Sequence, residues 1–224
     1  MAEFKIRRKL FRMVGLLFPA LYAAGDAFVP GAGWVAATGI LMLFLFSMVS
    51  LEFVRFRRPG VNRWLFEHFR HFTKEKERHR TSSTTLFLLS CLMTILVFGR
   101  SVAIASILML VFGDPIAEWV GTRFGRVPLL GKTLEGTAGG FAACLIATAP
   151  LALLPDMTAG VLLVGATAAS ICELLPLPVD DNFTIPLGAG LAMTLTQAAL
   201  PGATGAGVVS WSPLVQAIAS MLVR

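Results

Sequence analysis

The sequence predicts an all-α polytopic membrane bundle of about eight transmembrane helices with both termini cytoplasmic, and three observations predict it. Apolar residues make up 56% of the 224 positions and charged ones 14%, with a mean hydropathy of +0.76, against roughly 25% charge in an ordinary soluble domain. The apolar residues fall in blocks separated by short polar stretches, near the length of about 20 helical residues that crosses a hydrocarbon core. When those blocks are threaded alternately through a membrane, eighteen of the nineteen lysines and arginines fall on one side, the side that the retention of positive charge marks as cytoplasmic.

Taken in order, the first block covers residues 13–22, extending towards 29, and follows Lys5, Arg7, Arg8, Lys9 and Arg12. This start superficially resembles a signal peptide. A small-x-small cleavage site ahead of a soluble domain is missing, so a retained span is expected. The second block is 34–54. Residues 55–80 then interleave Trp64, Phe66, Phe69 and Phe72 with Arg55, Arg57, Arg58, Arg63, Arg70, Lys74, Lys76, Arg78 and Arg80, the pattern of an amphipathic cytoplasmic helix lying on anionic lipid headgroups. His68 and His71 are three apart in it, but no cysteine or carboxylate cluster completes a metal ligand set there.

The third and fourth blocks are 84–98 and 102–112, the latter continuing through Trp119, with Arg100 the one cation on the far side. Blocks at 137–154, 159–175, 183–200 and 208–223 complete the set. Several are short for a bilayer, so tilting, or helix that continues into a neighbouring polar motif, is expected. Gly139, Gly140, Gly160, Gly165, Gly188 and Gly190 suit close packing through small residues. Cys91, Cys144 and Cys172 stand alone in apolar stretches and read as small embedded hydrophobes. The whole chain, 1–224, is one membrane domain without an internal repeat. Its net charge of +6 flanks apolar segments, which argues against a nucleic-acid partner.

Two polar motifs interrupt the later blocks on the predicted cytoplasmic side. Residues 113–137 concentrate acids, bases and glycines: Asp114, Glu118, Gly121, Gly125, Arg126, Lys132, Thr133, Glu135, Gly136 and Thr137. Asp114 and Glu118 are four apart and share one helix face. Carboxylates beside cations and exposed backbone amides are what a magnesium-bound polyphosphate needs. Gly131-Lys132-Thr133 superficially resembles the end of a phosphate loop, but the upstream glycine spacing and preceding strand are missing. Glu135-Gly136-Thr137 opens the fifth span, where free amides could face phosphates. Residues 173–182 form the second motif, with Glu173, Asp180, Asp181 and Asn182. Helix capping accounts for one of these acids; it does not account for two acids, an amide and Glu173 on the same side as Asp114, and charge at membrane depth points to function.

Gly113-Asp114-x-x-Ala117-x-x-x-Gly121-x-x-x-Gly125-Arg126, then Lys132-Thr133-x-Glu135-Gly136-Thr137, then Asp180-Asp181-Asn182, resembles the CTP-dependent lipid kinase family. That family includes dolichol (polyprenol), phytol and farnesol kinases and the yeast-type diacylglycerol kinase, often labelled phosphatidate cytidylyltransferase-like. The resemblance covers roughly residues 100–190 plus the basic Arg7-Arg8-Lys9. Where the family usually has a histidine a few residues after this basic group, the chain has Arg12. The resemblance implies transfer of the CTP γ-phosphate to a membrane lipid alcohol with Mg2+. Catalytic roles then fall to Asp114, Asp181 and Lys132. Nucleotide contacts fall to Gly121, Gly125, Arg126, Lys132, Thr133, Glu135, Gly136, Thr137 and Asn182, and metal ligation to Asp114, Glu118, Glu135, Asp180 and Asp181. Either Asp114 or Asp181 could serve as base. Two alternatives stand beside this reading: a cytidylyltransferase forming a CDP-lipid, and a non-catalytic transporter or scaffold.

Overall fold

The apolar blocks become helices whose ends are set by local capping chemistry. The structure is a computed structural model and describes residues 13–68, 78–199 and 211–222. A 3-10 turn, Met13–Leu16, leads into α1 (Leu17–Phe28), and Gly31, at φ 81°, turns the chain into α2 (Ala32–Arg57). α3 (Pro59–His68) follows directly. Ser82 accepts a hydrogen bond from the Thr84 amide and so caps α4 (Ser83–Val97). α5 (Arg100–Leu108), a π turn (Met109–Gly113) and α6 (Asp114–Phe124) form one uninterrupted helical run. A two-stranded antiparallel hairpin, β1 (Pro128–Leu129) and β2 (Lys132–Thr133), separates it from α7 (Leu134–Thr148), which ends in a 3-10 turn, Ala149–Leu153. α8 (Ala159–Leu174) is capped by Thr158, and α9 (Asp181–Ala199) and α10 (Pro213–Leu222) complete the described chain.

The fold is thus mostly helical, and three helical runs are long and apolar enough to cross a membrane: Ala32–Arg57, Arg100–Phe124 and Leu134–Leu153. The fourth expected block runs past Trp119 to Phe124, with Asp114-Pro115 following directly on the π turn Met109–Gly113. The fifth starts three residues early, because Thr133 caps it. The expected block at 208–223 is helical over the ten residues of α10, a rise of about 15 Å against a hydrocarbon core of about 30 Å.

Two-thirds of the most apolar stretch of Arg100–Phe124 is buried (67%), against 17% for Ala32–Arg57, so the α5–α6 run is the axis of the bundle and α2 lies at its edge. Val102, Ala103, Ala105, Ile107 and Val111 are fully enclosed, while α2 points Leu43, Phe46 and Phe53 outward. An apolar outer face is the inverse of a soluble helix. Hydrogen bonds join the helix ends away from the acidic motifs: Arg100 Nη2 donates to Ala23 O (2.7 Å), Trp34 Nε1 to Ile95 O (3.3 Å), the Ser212 amide to Val97 O (3.2 Å) and Gln197 Nε2 to Asp156 O (2.7 Å).

The basic segment divides. Arg55 and Arg57 finish α2, Pro59–His68 forms a short helix, and Arg78 to Arg80 lead towards α4. Arg55, expected among lipid headgroups, is instead buried at 5% exposure and lies 3.6 Å from Glu52. Phe69, Arg70, His71, Phe72, Lys74 and Lys76 lie outside the described residues, as does the basic start through Arg12.

Candidate functional site

At the other end of the bundle, elements far apart in sequence enclose a cleft of about 930 Å³. Its walls come from the approach to α4 (Arg80, Thr81, Ser83), from α6 (Asp114, Glu118, Gly121), from β2 and the start of α7 (Lys132, Thr133, Gly136, Thr137), and from Glu173 and Asp180 to Asn182. Both polar motifs therefore share one space. Asp114 and Glu118 project from the same face of α6, as their spacing predicts, and both line the cleft.

Lys132 ties the two motifs together. Its Nζ donates to Glu173 Oε1 (2.7 Å), to the Glu173 carbonyl and to Asp181 Oδ2 (3.3 Å). An ammonium has three donors, so all three are engaged, one of them by a carbonyl in the last turn of α8, where a cation also suits the helix dipole. Glu173 is buried at 7% exposure; with its ammonium partner it is a satisfied buried acid, and without it an expensive one.

The start of α9 has its own network. Asp180 Oδ1 accepts from the Asn182 amide (3.0 Å) and from Asn182 Nδ2, which makes Asp180 the cap of α9. Asn182 is 2% exposed and its Oδ1 is buried without a hydrogen-bond partner among the described residues. Pro186, one turn on, has no N–H to give the Asn182 carbonyl. Asn182 thus brings acceptors to the cleft wall.

The hairpin positions β2. Leu129 pairs with Lys132 across the two-residue loop Leu130-Gly131, with φ of 48° and 84°, as a type I′ turn requires. Thr133 then caps α7, its Oγ1 accepting from the Gly136 amide (3.2 Å). At the entrance to α7 the helices meet closely. A Cβ on Gly136 would lie 2.8 Å from Ala117 O and 3.0 Å from Gly121 Cα, so these glycines bring α6 and α7 to backbone contact.

Three expected site residues are not brought into the cleft lining: Gly125, Arg126 and Glu135. All three lie at or beside the hairpin that reverses the chain between α6 and α7. A Cβ on Gly125 would lie 2.3 Å from Gly121 O and 2.6 Å from Thr133 Cγ2, so it serves packing. Glu135, expected both as a metal ligand and as a nucleotide contact, accepts from the Val127 amide at 3.2 Å through either oxygen. Conversely, Arg80, Thr81 and Ser83 line the cleft without having been singled out. The signal that could have found them is a cation followed by an unbroken hydroxyl run, Thr81 to Thr85, ahead of an apolar helix.

Among the described residues, no group of three or more His, Cys, Asp or Glu side chains is placed to hold a metal ion. The cleft carries five carboxylates against two cations, Arg80 and Lys132. It therefore fits a divalent ion that arrives with phosphate oxygens and takes one or two carboxylates, the usual habit of Mg2+, better than a site made of protein ligands alone. Residues at the starts of α4, α7 and α9 all lie on its walls.

No protein-family model matches the chain, and no solved structure matches it. The chain is similar to the uncharacterized protein RP860 of Rickettsia prowazekii (strain Madrid E), 26% identical over 203 residues that cover 86% of this chain and 95% of that protein.

Proposed function

We propose that the chain is a multi-pass membrane phosphotransferase that moves the γ-phosphoryl group of CTP to the hydroxyl of a lipid alcohol of the polyprenol, phytol or diacylglycerol type. The observation that carries this reading is the meeting of residues 113–137 and 173–182 in one cleft, with five carboxylates, two cations and three helix starts around it. Carboxylates without metal repel a polyphosphate, and cations without carboxylates do not recruit a metal. Both together fit a metal–nucleotide complex. The resemblance in the motifs supports CTP as donor and a lipid alcohol as acceptor.

In this reading the acceptor oxygen attacks Pγ, the bond from Pγ to the β-bridging oxygen breaks, CDP leaves and the hydroxyl proton passes to a carboxylate. Asp114 and Asp181 are the candidates for that base. Mg2+ bound with the nucleotide would supply neutralisation of phosphate oxygens, and one or two of Asp114, Glu118 and Asp181 would hold it. Asp180 uses Oδ1 for the α9 cap. Lys132 reaches phosphate by exchanging the Asp181 carboxylate, its longest contact at 3.3 Å, which frees Asp181 as it binds. Gly121 and Gly136 keep α6 and α7 close enough for both walls to contact one ligand.

The same reading places the cleft at the cytoplasmic face, where CTP is available, on the strength of the lysine and arginine distribution. The runs containing α1, α2, α4, α5–α6, α7, α8 and α9 are proposed to cross in alternation, with α10 as the eighth apolar segment and α3 on anionic headgroups. Incubation with γ-labelled and, separately, α-labelled CTP, Mg2+ and a panel of lipid alcohols tests the function. Label in the lipid from γ-CTP, lost in Asp114→Asn, is expected. Label from α-CTP would assign a cytidylyltransferase instead. No label from either, with Asp114→Asn leaving the cellular phenotype unchanged, would assign a transporter or scaffold.

A further inference from the structure

α2 faces outward with apolar side chains, yet near its cleft end it buries an acid and a base one turn apart, Glu52 at 9% exposure and Arg55 at 5%. Burying a charged pair costs desolvation that the pair's own attraction does not reliably offset, so its retention here calls for a further role. Both side chains are directed at the segment that leads into α4. Arg55 Nη2 donates to the Arg80 carbonyl (2.6 Å), while Glu52 Oε1 accepts from the Ser82 amide (2.6 Å) and from Thr85 Oγ1 (2.9 Å). Two of these hydrogen bonds fix the backbone on either side of Thr81, and the third ties Glu52 to the Thr85 hydroxyl in the first turn of α4. The same segment contributes Arg80, Thr81, Ser83 and Leu86 to the cleft wall.

The charge balance of the cleft says what that wall is for. Lys132 is engaged by Glu173 and Asp181, so a phosphate chain entering the cleft meets five carboxylates and needs a second cation. Among the described residues, Arg80 is the other cation on the walls. A guanidinium can grip two phosphate oxygens at once and keeps its charge at any working pH. It does so with useful precision only when its backbone is held, which is what Glu52 and Arg55 do.

We propose that Arg80 binds the phosphate chain of the nucleotide and that Glu52 and Arg55 are positioning residues that hold it on the cleft wall; this rests on the nucleotide-binding reading above. The test is calorimetric titration of Mg2+–CTP into the full chain in lipid nanodiscs, with phosphoryl transfer followed in parallel. Arg80→Ala is expected to weaken Mg2+–CTP binding roughly ten- to a hundredfold, and Arg80→Lys less. Glu52→Gln, which keeps an acceptor for Ser82 and Thr85 but removes the charge facing Arg55, is expected to weaken binding several-fold and to add nothing in the Arg80→Ala background. That non-additivity is the mark of two residues acting as one, and a merely structural role for Glu52 would not produce it. Wild-type affinity in Arg80→Ala, or fully additive losses in the double variant, overturns the inference while leaving the phosphotransferase reading intact. A wild-type chain that neither binds Mg2+–CTP nor transfers phosphate overturns both.

Discussion

Lys132→Met keeps an unbranched stem of similar length and removes the ammonium, which leaves the Glu173 carboxylate without the partner that satisfies it. Breaking a buried pair costs about 3–5 kcal/mol when the orphaned charge stays buried. The Glu173 side chain is 10% exposed but that of Lys132 is 34% exposed, so solvent screening brings the expected loss to about 2–3 kcal/mol. The contact to Asp181, whose side chain is 41% exposed, adds at most about 1 kcal/mol. For a chain of this size each kcal/mol corresponds to about 2–4 °C. We therefore predict that Lys132→Met lowers the Tm by roughly 5–10 °C in detergent, followed by near-ultraviolet circular dichroism or tryptophan fluorescence. The diagnostic partner is Lys132→Met with Glu173→Gln: a neutral amide costs far less to bury, so the double variant should recover most of the loss. A wild-type Tm in Lys132→Met, or a double variant less stable than the single, would refute the reasoning that places the cost on the orphaned carboxylate.

Further outcomes follow from the same geometry. Gly136→Ala forces a Cβ to within 2.8 Å of Ala117 O and 3.0 Å of Gly121 Cα and should cost about 1–3 kcal/mol, whereas Gly160→Ala, whose nearest contact would be Thr158 Oγ1 at 3.8 Å, should leave thermal stability unchanged or slightly raised; equal losses would contradict the close approach of α6 and α7. Thr133→Val should cost about 1 kcal/mol through loss of the α7 cap while Thr133→Ser retains it, and the same ranking in Mg2+–CTP affinity would link the cap to the cleft. Leu130→Asn should stabilise the hairpin, since a leucine in the left-handed region costs roughly 1–2 kcal/mol that asparagine partly avoids; a lower Tm would mean that the exposed Leu130 side chain has a partner of its own. Mg2+ titrated without nucleotide should show no tight binding, because no three-carboxylate group is preassembled among the described residues; tight binding of the metal alone would count against a metal that enters with its phosphates.

Much of the candidate site was legible because its logic is local. Asp114 and Glu118 share a face through helical spacing alone, and capping, anticipated for one acid of the Asp180-Asp181 pair, is performed by Asp180 through a bond two residues along the chain. Glu135 was not legible in the same way. Its carboxylate sits in a dense polar motif, but the hairpin turn brings the Val127 amide to it and leaves it outside the cleft. The glycines were ambiguous for a different reason: a missing side chain suits a phosphate and a neighbouring helix equally, and only the presence of Ala117 O and Gly121 Cα against Gly136 shows what occupies the space. Arg80 was hidden by its company, one cation in a run of cations, with nothing nearby in sequence to set it apart from those read as facing headgroups.

The sequence by itself determined the helical class, the blocks, their approximate ends and the two polar motifs, because hydrophobic length, capping and i, i+4 spacing act within a few residues. Tertiary structure decided the rest. It brought Lys132 to Glu173 and Asp181 across gaps of 41 and 49 residues. It left Gly125, Arg126 and Glu135 out of the cleft lining, and tied the Arg80 carbonyl and the Ser82 amide to a buried pair on α2. It also settled which apolar faces are core and which point outward. The physical reason is that an apolar surface looks the same to lipid and to a neighbouring helix, and a charge looks the same beside water and beside a counter-charge, until the packing of the bundle chooses its neighbours.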